Sequence, residues 1–275
     1  MEILGFILAA LVGVSLGLIG GGGSILTVPI LVYVIGINPV LATSYSLFIV
    51  GSTSLVGALN NYRRGLVNIK TALLFGLSSI TTVFLIRKFL IPVIPKSLFS
   101  IGHFHVTQSL ATMVLFALLM VMASVAMISD NRNLKELEAA RHEQQYHHNI
   151  WKLLMHGVLI GIATGILGAG GGFLIIPALV LILDMPMKQA IGTSLLIIAL
   201  NSLIGFTGDV GHFSIRWGFL ISITVIAISG IFAGGFLAGK IEGYKLKKAF
   251  GWFVLMMGVY IIAKEIFFPS TGLHQ

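Results

Sequence analysis

Long apolar runs leave this chain almost no polar surface to offer water. Across 275 residues, apolar stretches occupy roughly 3–36, 41–59, 71–94, 106–129, 153–183, 190–208, 217–239 and 249–268, with mostly short turns between them. A spanning helix needs about 20 apolar residues, within a range of about 17–25. Hydrophobic residues make up 57% of the chain and charged ones 9%, where a soluble domain carries about 25% charged. Lipid is the solvent that fits. In lipid every backbone N–H and C=O must find a partner within the protein, which leaves helices or a closed barrel. Unbroken apolar runs, without the alternation of a barrel strand, select helices. The expected class is an all-α, polytopic transmembrane helical bundle.

Two stretches, 3–36 and 153–183, are too long for one simple crossing, and each carries a glycine cluster near its middle. Residues 13–29, GVSLGLIGGGGSILTVP, align without gaps to residues 161–177, GIATGILGAGGGFLIIP, at an offset of 148. Gly13, Gly17, Gly20, Gly22, Gly23, Leu26 and Pro29 meet Gly161, Gly165, Gly168, Gly170, Gly171, Leu174 and Pro177. After a two-residue shift, Thr43-Ser44 meets Thr193-Ser194. The chain therefore reads as two homologous halves, each with a Gly-broken helix: an N-terminal repeat over 1–129, a polar connector over 130–150 and a C-terminal repeat over 151–275. Four crossings per half would make the repeats parallel, and an odd number would invert them. With eight crossings the 17 Lys and Arg divide almost evenly between the two faces, so the positive-inside rule leaves the orientation open.

The remaining polar residues narrow the chemistry. The formal net charge of +8 comes from cations scattered through short loops, with no continuous basic face, so nucleic acid is not an expected partner. The start lacks the basic n-region of a secretory signal and reads as the first membrane segment. Cysteine is absent, and His142, His147 and His148 of the connector have no rigid frame for a metal. No Gly-Lys-Ser/Thr follows either glycine cluster, which excludes a phosphate-binding Walker loop. Paired carboxylates, His-x-x-x-His and Gly-x-Ser-x-Gly are missing too. The expectation is therefore no catalysis, cofactor or metal.

Gly20, Gly21, Gly22 and Gly23, and Gly168, Ala169, Gly170, Gly171 and Gly172, oppose a continuous helix, because each glycine costs about 1 kcal/mol relative to alanine. Non-helical backbone at membrane depth survives where protein or a polar cavity covers it. A half-helix that starts there has free amides and the positive end of its dipole, which suits an anion. Thr43, Ser44, Thr193 and Ser194 can donate to an anion or bond back to their own helix. Asn60, Asn61 and Asn201 are candidate interhelical partners or ligands. Asp209, near His212, is a candidate for proton coupling, while Arg87 and Lys88 are expected to snorkel to an interface.

The paired GLIGGGGSILTVP and GILGAGGGFLIIP blocks, each followed by a Thr-Ser motif, resemble the TauE/SafE family of sulfite exporters and related permeases. The resemblance covers nearly the whole chain and implies transport of small sulfur anions such as sulfite, sulfonates or thiosulfate. Carried over by motif, it places substrate binding at Gly20 to Ser24 with Thr43 and Ser44, and at Gly168 to Gly172 with Thr193 and Ser194. The expected protein is a multi-pass permease of a prokaryotic inner membrane, working by alternating access. Its partners are then a small sulfur anion, the lipid bilayer and, as an open question, further copies of itself. The alternatives are an anion channel or uniporter, and a structural membrane subunit.

Overall fold

The computed structural model describes residues 2–94, 97–101, 104–129, 150–167, 172–183, 185–211 and 214–267. Its helices are α1 (Glu2–Ile19), α2 (Gly22–Pro29), α3 (Pro39–Arg63), α4 (Ile69–Leu85) and α5 (Gln108–Ser129). They continue as α6 (Ile150–Leu167), α7 (Gly172–Pro177), α8 (Met187–Asp209), α9 (Trp217–Lys240) and α10 (Gly243–Phe267). Single π turns extend α2 (Ile30–Val34), α4 (Ile86–Leu90) and α7 (Ala178–Ile182). A small antiparallel hairpin, β1 (Ser97–Ile101) and β2 (Phe104–Thr107), precedes α5. It is a minor addition to the expected helical bundle. Among the described residues, six helices are long and apolar enough to cross a membrane: α3, α4 with its π turn, α5, α8, α9 and α10.

The first long stretch does not cross twice in one direction. Helix α1 stops at Ile19, Gly20 takes the left-handed φ of +77° that glycine adopts without penalty, and α2 starts at Gly22. From there the chain doubles back. A Cβ built on Gly23 would strike the Leu16 side chain and the Val12 carbonyl, and one on Gly5 would lie 3.7 Å from Ile35. Residues 5–35 are thus a helical hairpin with Gly20–Gly21 at its tip. In the second stretch, α6 ends at Leu167 and α7 begins at Gly172; residues 168–171 lie outside the described set.

Contacts between elements fix the directions of the rest. Gly192, early in α8, approaches Leu66 and Asn61 at the far end of α3, while the Arg216 N–H, just past α8, donates to the Tyr45 hydroxyl near the start of α3 at 2.8 Å. Helices α3 and α8 are therefore antiparallel. The α6 glycines track α4 in parallel: Gly157 lies on Phe75 and Ser78, Gly161 on Ser79 and Thr82, Gly165 on Val83 and Ile86. The first hairpin repeats the arrangement, with Gly13 and Gly17 on Ala227, Ile231 and Gly234 of α9. Small residues let backbones approach this closely. Helices α5 and α10 pack antiparallel through Gly251 and Gly258. The principal partners are α1 with α9, α3 with α8, α4 with α6 and α5 with α10, so every major interface joins residues from the two parts of the sequence.

The bundle thus has two ends. One, the Asn38 face, holds the start of α3, the end of α4 and the end of α8. The other, the Arg64 face, holds the end of α3, the start of α4 and the start of α8. Helix α5 ends and α6 begins at the Arg64 face.

Candidate functional site

The tip of the first hairpin is driven into the protein interior. A Cβ at Gly21 would fall on the backbone carbonyl of Gly172, and one at Gly20 would sit 3.1 Å from Ile191 Cα and from Ser194 Oγ. The first glycine cluster therefore meets the start of α7 and the Thr-Ser turn of α8, in the other part of the sequence. Gly22 and Ser24 lie in the first turn of α2 and Gly172 opens α7, whereas Gly168, Ala169, Gly170 and Gly171 fall outside the described residues. Gly21 has no side-chain cap to offer α2.

The four Thr-Ser hydroxyls are all buried, but they are used differently. Thr43 Oγ1 donates to its own helix at the Val40 carbonyl (2.7 Å), and Ser194 Oγ does the same to Ile191 (2.9 Å). Thr193 Oγ1 accepts the Asn68 N–H at 3.0 Å, which ties α8 to the capped start of α4. Ser44 Oγ has no partner among the described residues.

Ser44 is not isolated in this. Ser46, Thr53 and Ser54 of α3, Ser202 of α8 and the Asn201 carbonyl oxygen are equally buried and unpartnered. Helices α3 and α8 pack with Gly51 against Ser202 and Leu47 against Gly205, so Ser44, Ser54 and Ser202 follow a seam where the two helices meet, while Ser46 and Thr53 lie about 100° further round α3. Leaving a buried donor or acceptor unmade costs about 1–3 kcal/mol each. Asn201 also donates to Ser79 Oγ at 2.6 Å. Asn61 bonds back to the Gly57 carbonyl (2.9 Å), a structural role. Sequence reasoning overlooked Ser46, Thr53, Ser54 and Ser202. The available signal was density: six Ser and Thr side chains from Thr43 to Ser54 in an otherwise apolar span.

Among the described residues charge is buried at Lys247 of α10 and at one ion pair. Asp209, the last residue of α8, and Arg87, in the π turn after α4, are each 1% exposed, with Arg87 Nη1 3.4 Å from Asp209 Oδ2. Arg87 does not snorkel as its position near a segment end suggested. Gly208 lets α8 lie directly on it: a Cβ there would be 3.2 Å from Arg87 Cβ. Lys88 alone faces outward, over the rings of Phe84 and Phe89. His212 lies outside the described residues. A cleft of about 350 Å³ at the Asn38 face, between Gly5, Phe6, Ile35, Phe219 and Ser222, holds none of the expected site residues.

Six spanning helices around the buried tip of the first hairpin, with unpartnered hydroxyls buried inside the bundle, define a polytopic membrane protein of the transporter class. The chain belongs to the sulfite exporter TauE/SafE family, whose model matches residues 5–261. It is 34% identical to a probable membrane transporter protein of Xylella fastidiosa (strain Temecula1 / ATCC 700964), over 92% of this chain and 91% of that one. It is also 24% identical to the probable membrane transporter protein YunE of Bacillus subtilis (strain 168), over 96% of this chain and all of the relative. No solved structure matches.

Proposed function

We propose that the chain is a permease for a small oxyanion, sulfur-containing as in sulfite, a sulfonate or thiosulfate, and that the anion travels along the α3–α8 seam. The unpartnered buried hydroxyls of Ser44, Ser54 and Ser202 on that seam carry this reading. Neutral donors can bind an anion without a buried countercharge that would hold it too tightly. Gly20 to Ser24 with Thr43 and Ser44, and Gly168 to Gly172 with Thr193 and Ser194, complete the binding set, the free amides of α2 facing the guest. The family's description as sulfite exporters supports the sulfur anion. Contact of Gly21 with Gly172 favours alternating access over an open channel, since the tips must part before an ion can pass. The interlocked halves imply that the moving bodies are hairpins with their α9 and α4 partners against the central α3–α8 pair. No group in this set supplies enzymatic catalysis. The test is flux into proteoliposomes with labelled sulfite, thiosulfate, sulfate and acetate. Sulfur anions should enter, and Ser44→Ala with Ser202→Ala should reduce flux at least tenfold. Uptake of none of the four, or unchanged flux in the double variant, would reject the reading.

The fold also supports an orientation. Among the described residues Arg63, Arg64, Lys70, Lys152, Lys188, Lys240, Lys245, Lys247 and Lys248 belong to the Arg64 face by connectivity, and Arg87, Lys88, Arg216 and Lys264 to the other. The near-even division that eight crossings would produce becomes a bias toward one face, which favours the Arg64 face as the cytoplasmic one. The chain has no native cysteine, so single cysteines report cleanly. In intact cells, Ser214→Cys should react with an impermeant thiol reagent and Lys245→Cys should not; the reverse pattern would invert the assignment.

A further inference from the structure

We propose that Arg87 and Asp209 form an anion-exchangeable gate at the Asn38 end of the seam, in which the passing anion takes the place of Asp209 on the Arg87 guanidinium. The inference rests on the anion-permease reading above. Arg87 is fully buried, yet among the described residues none of its three guanidinium nitrogens makes a hydrogen bond. Its one ionic partner, Asp209, stands at 3.4 Å, well beyond the roughly 2.7–2.9 Å of a charge-assisted bond. A guanidinium has five N–H donors in a planar fork that matches an oxyanion, so most of its bonding capacity is unspent where desolvation makes that expensive.

The pair's place in the fold agrees. Leu47, one turn from Ser44, meets Gly205, one turn from Asp209, so the charges lie at the level where the unpartnered hydroxyls end. The chain carrying Arg87 is a π turn, a local widening of the helix that recurs at functional sites. The device is one-sided. Gly165 packs on Ile86 as Gly17 packs on Gly234, and carrying the 148-residue offset one position further sets Arg87 against Gly235. There Asn60 is the neighbouring polar group, and Arg64 only reaches the Gly235 carbonyl at 3.4 Å. An ion pair closes one mouth and not the other. An arriving anion neutralises Arg87, Asp209 is released toward its own face, and α8 separates from the α4 turn.

The experiment uses Leu47→Cys, a buried position just inside the pair, labelled with an impermeant thiol reagent from the Asn38 face without added anion, and separately the binding of labelled sulfate and thiosulfate to purified protein. Asp209→Asn removes the resident competitor, so labelling should accelerate at least tenfold and anion affinity should rise. Arg87→Gln should also accelerate labelling but lose binding. A merely structural ion pair would weaken binding equally in both. Should Asp209→Asn misfold, Arg87→Gln with Asp209→Asn removes both charges and should label fast without binding. Unchanged labelling in every variant, or loss of binding in Asp209→Asn, would overturn the gate. If the wild type binds neither anion while labelling behaves as stated, the anion reading has failed and the ion-pair closure stands.

Discussion

Replacing Gly21 with valine is expected to abolish anion flux in protein that still inserts and purifies. The added Cβ would fall on the carbonyl carbon and oxygen of Gly172, with Ile176 Cδ1 3.0 Å away. Backbone atoms cannot swing aside as the end of a flexible side chain can, so the tip of the first hairpin and the start of α7 would be wedged apart. A tenfold loss of flux corresponds to about 1.4 kcal/mol, and a clash with backbone should exceed that. Gly76→Ala is the control, since a Cβ there meets only Ile80 Cδ1 at 3.8 Å. The comparison is read in proteoliposomes at equal protein incorporation. Flux in Gly21→Val equal to that of Gly76→Ala would remove the glycine tips from the mechanism.

The second large effect concerns stability. Asp209→Leu strands the Arg87 guanidinium in the interior, and removing one partner of a buried pair costs about 3–5 kcal/mol. Replacing both, as Arg87→Met with Asp209→Leu, removes the stranded charge and should restore most of the loss, because two charges no longer have to be desolvated. The measurement is the midpoint of thermal unfolding in detergent for each single variant and the double. Additive losses would mean that the two charges do not act on one another.

Much of this architecture is legible in the residues. Hydropathy identifies lipid as the solvent and therefore helix as the backbone solution. The GLIGGGGSILTVP and GILGAGGGFLIIP blocks mark the points where helices stop, and the first does stop at Ile19. Ser44 was also identifiable as a candidate, although its unpartnered state was not. Thr43 and Ser194 show why: a hydroxyl in a helix has a carbonyl of its own within reach, and only the coordinates tell which hydroxyls use it. Arg87 was misread because a cation near a segment end normally reaches water. Its burial depends on Gly208 and Asp209, which are remote in sequence and adjacent only through α4–α8 packing.

Local composition therefore determined the solvent, the helical class and the place where the first long stretch breaks, since each follows from what a short run of residues can bury or cannot hold helical. Tertiary structure alone decided direction. A glycine in the left-handed region permits a helix to resume or to reverse, and the reversal at Gly20 follows from how α2 packs on α1. With α6 and α8 both starting at the Arg64 face, α3 and α8 run opposite ways and most of the described cations collect at that face. Hydropathy reports how deeply a residue is buried, never which way the chain points when it gets there.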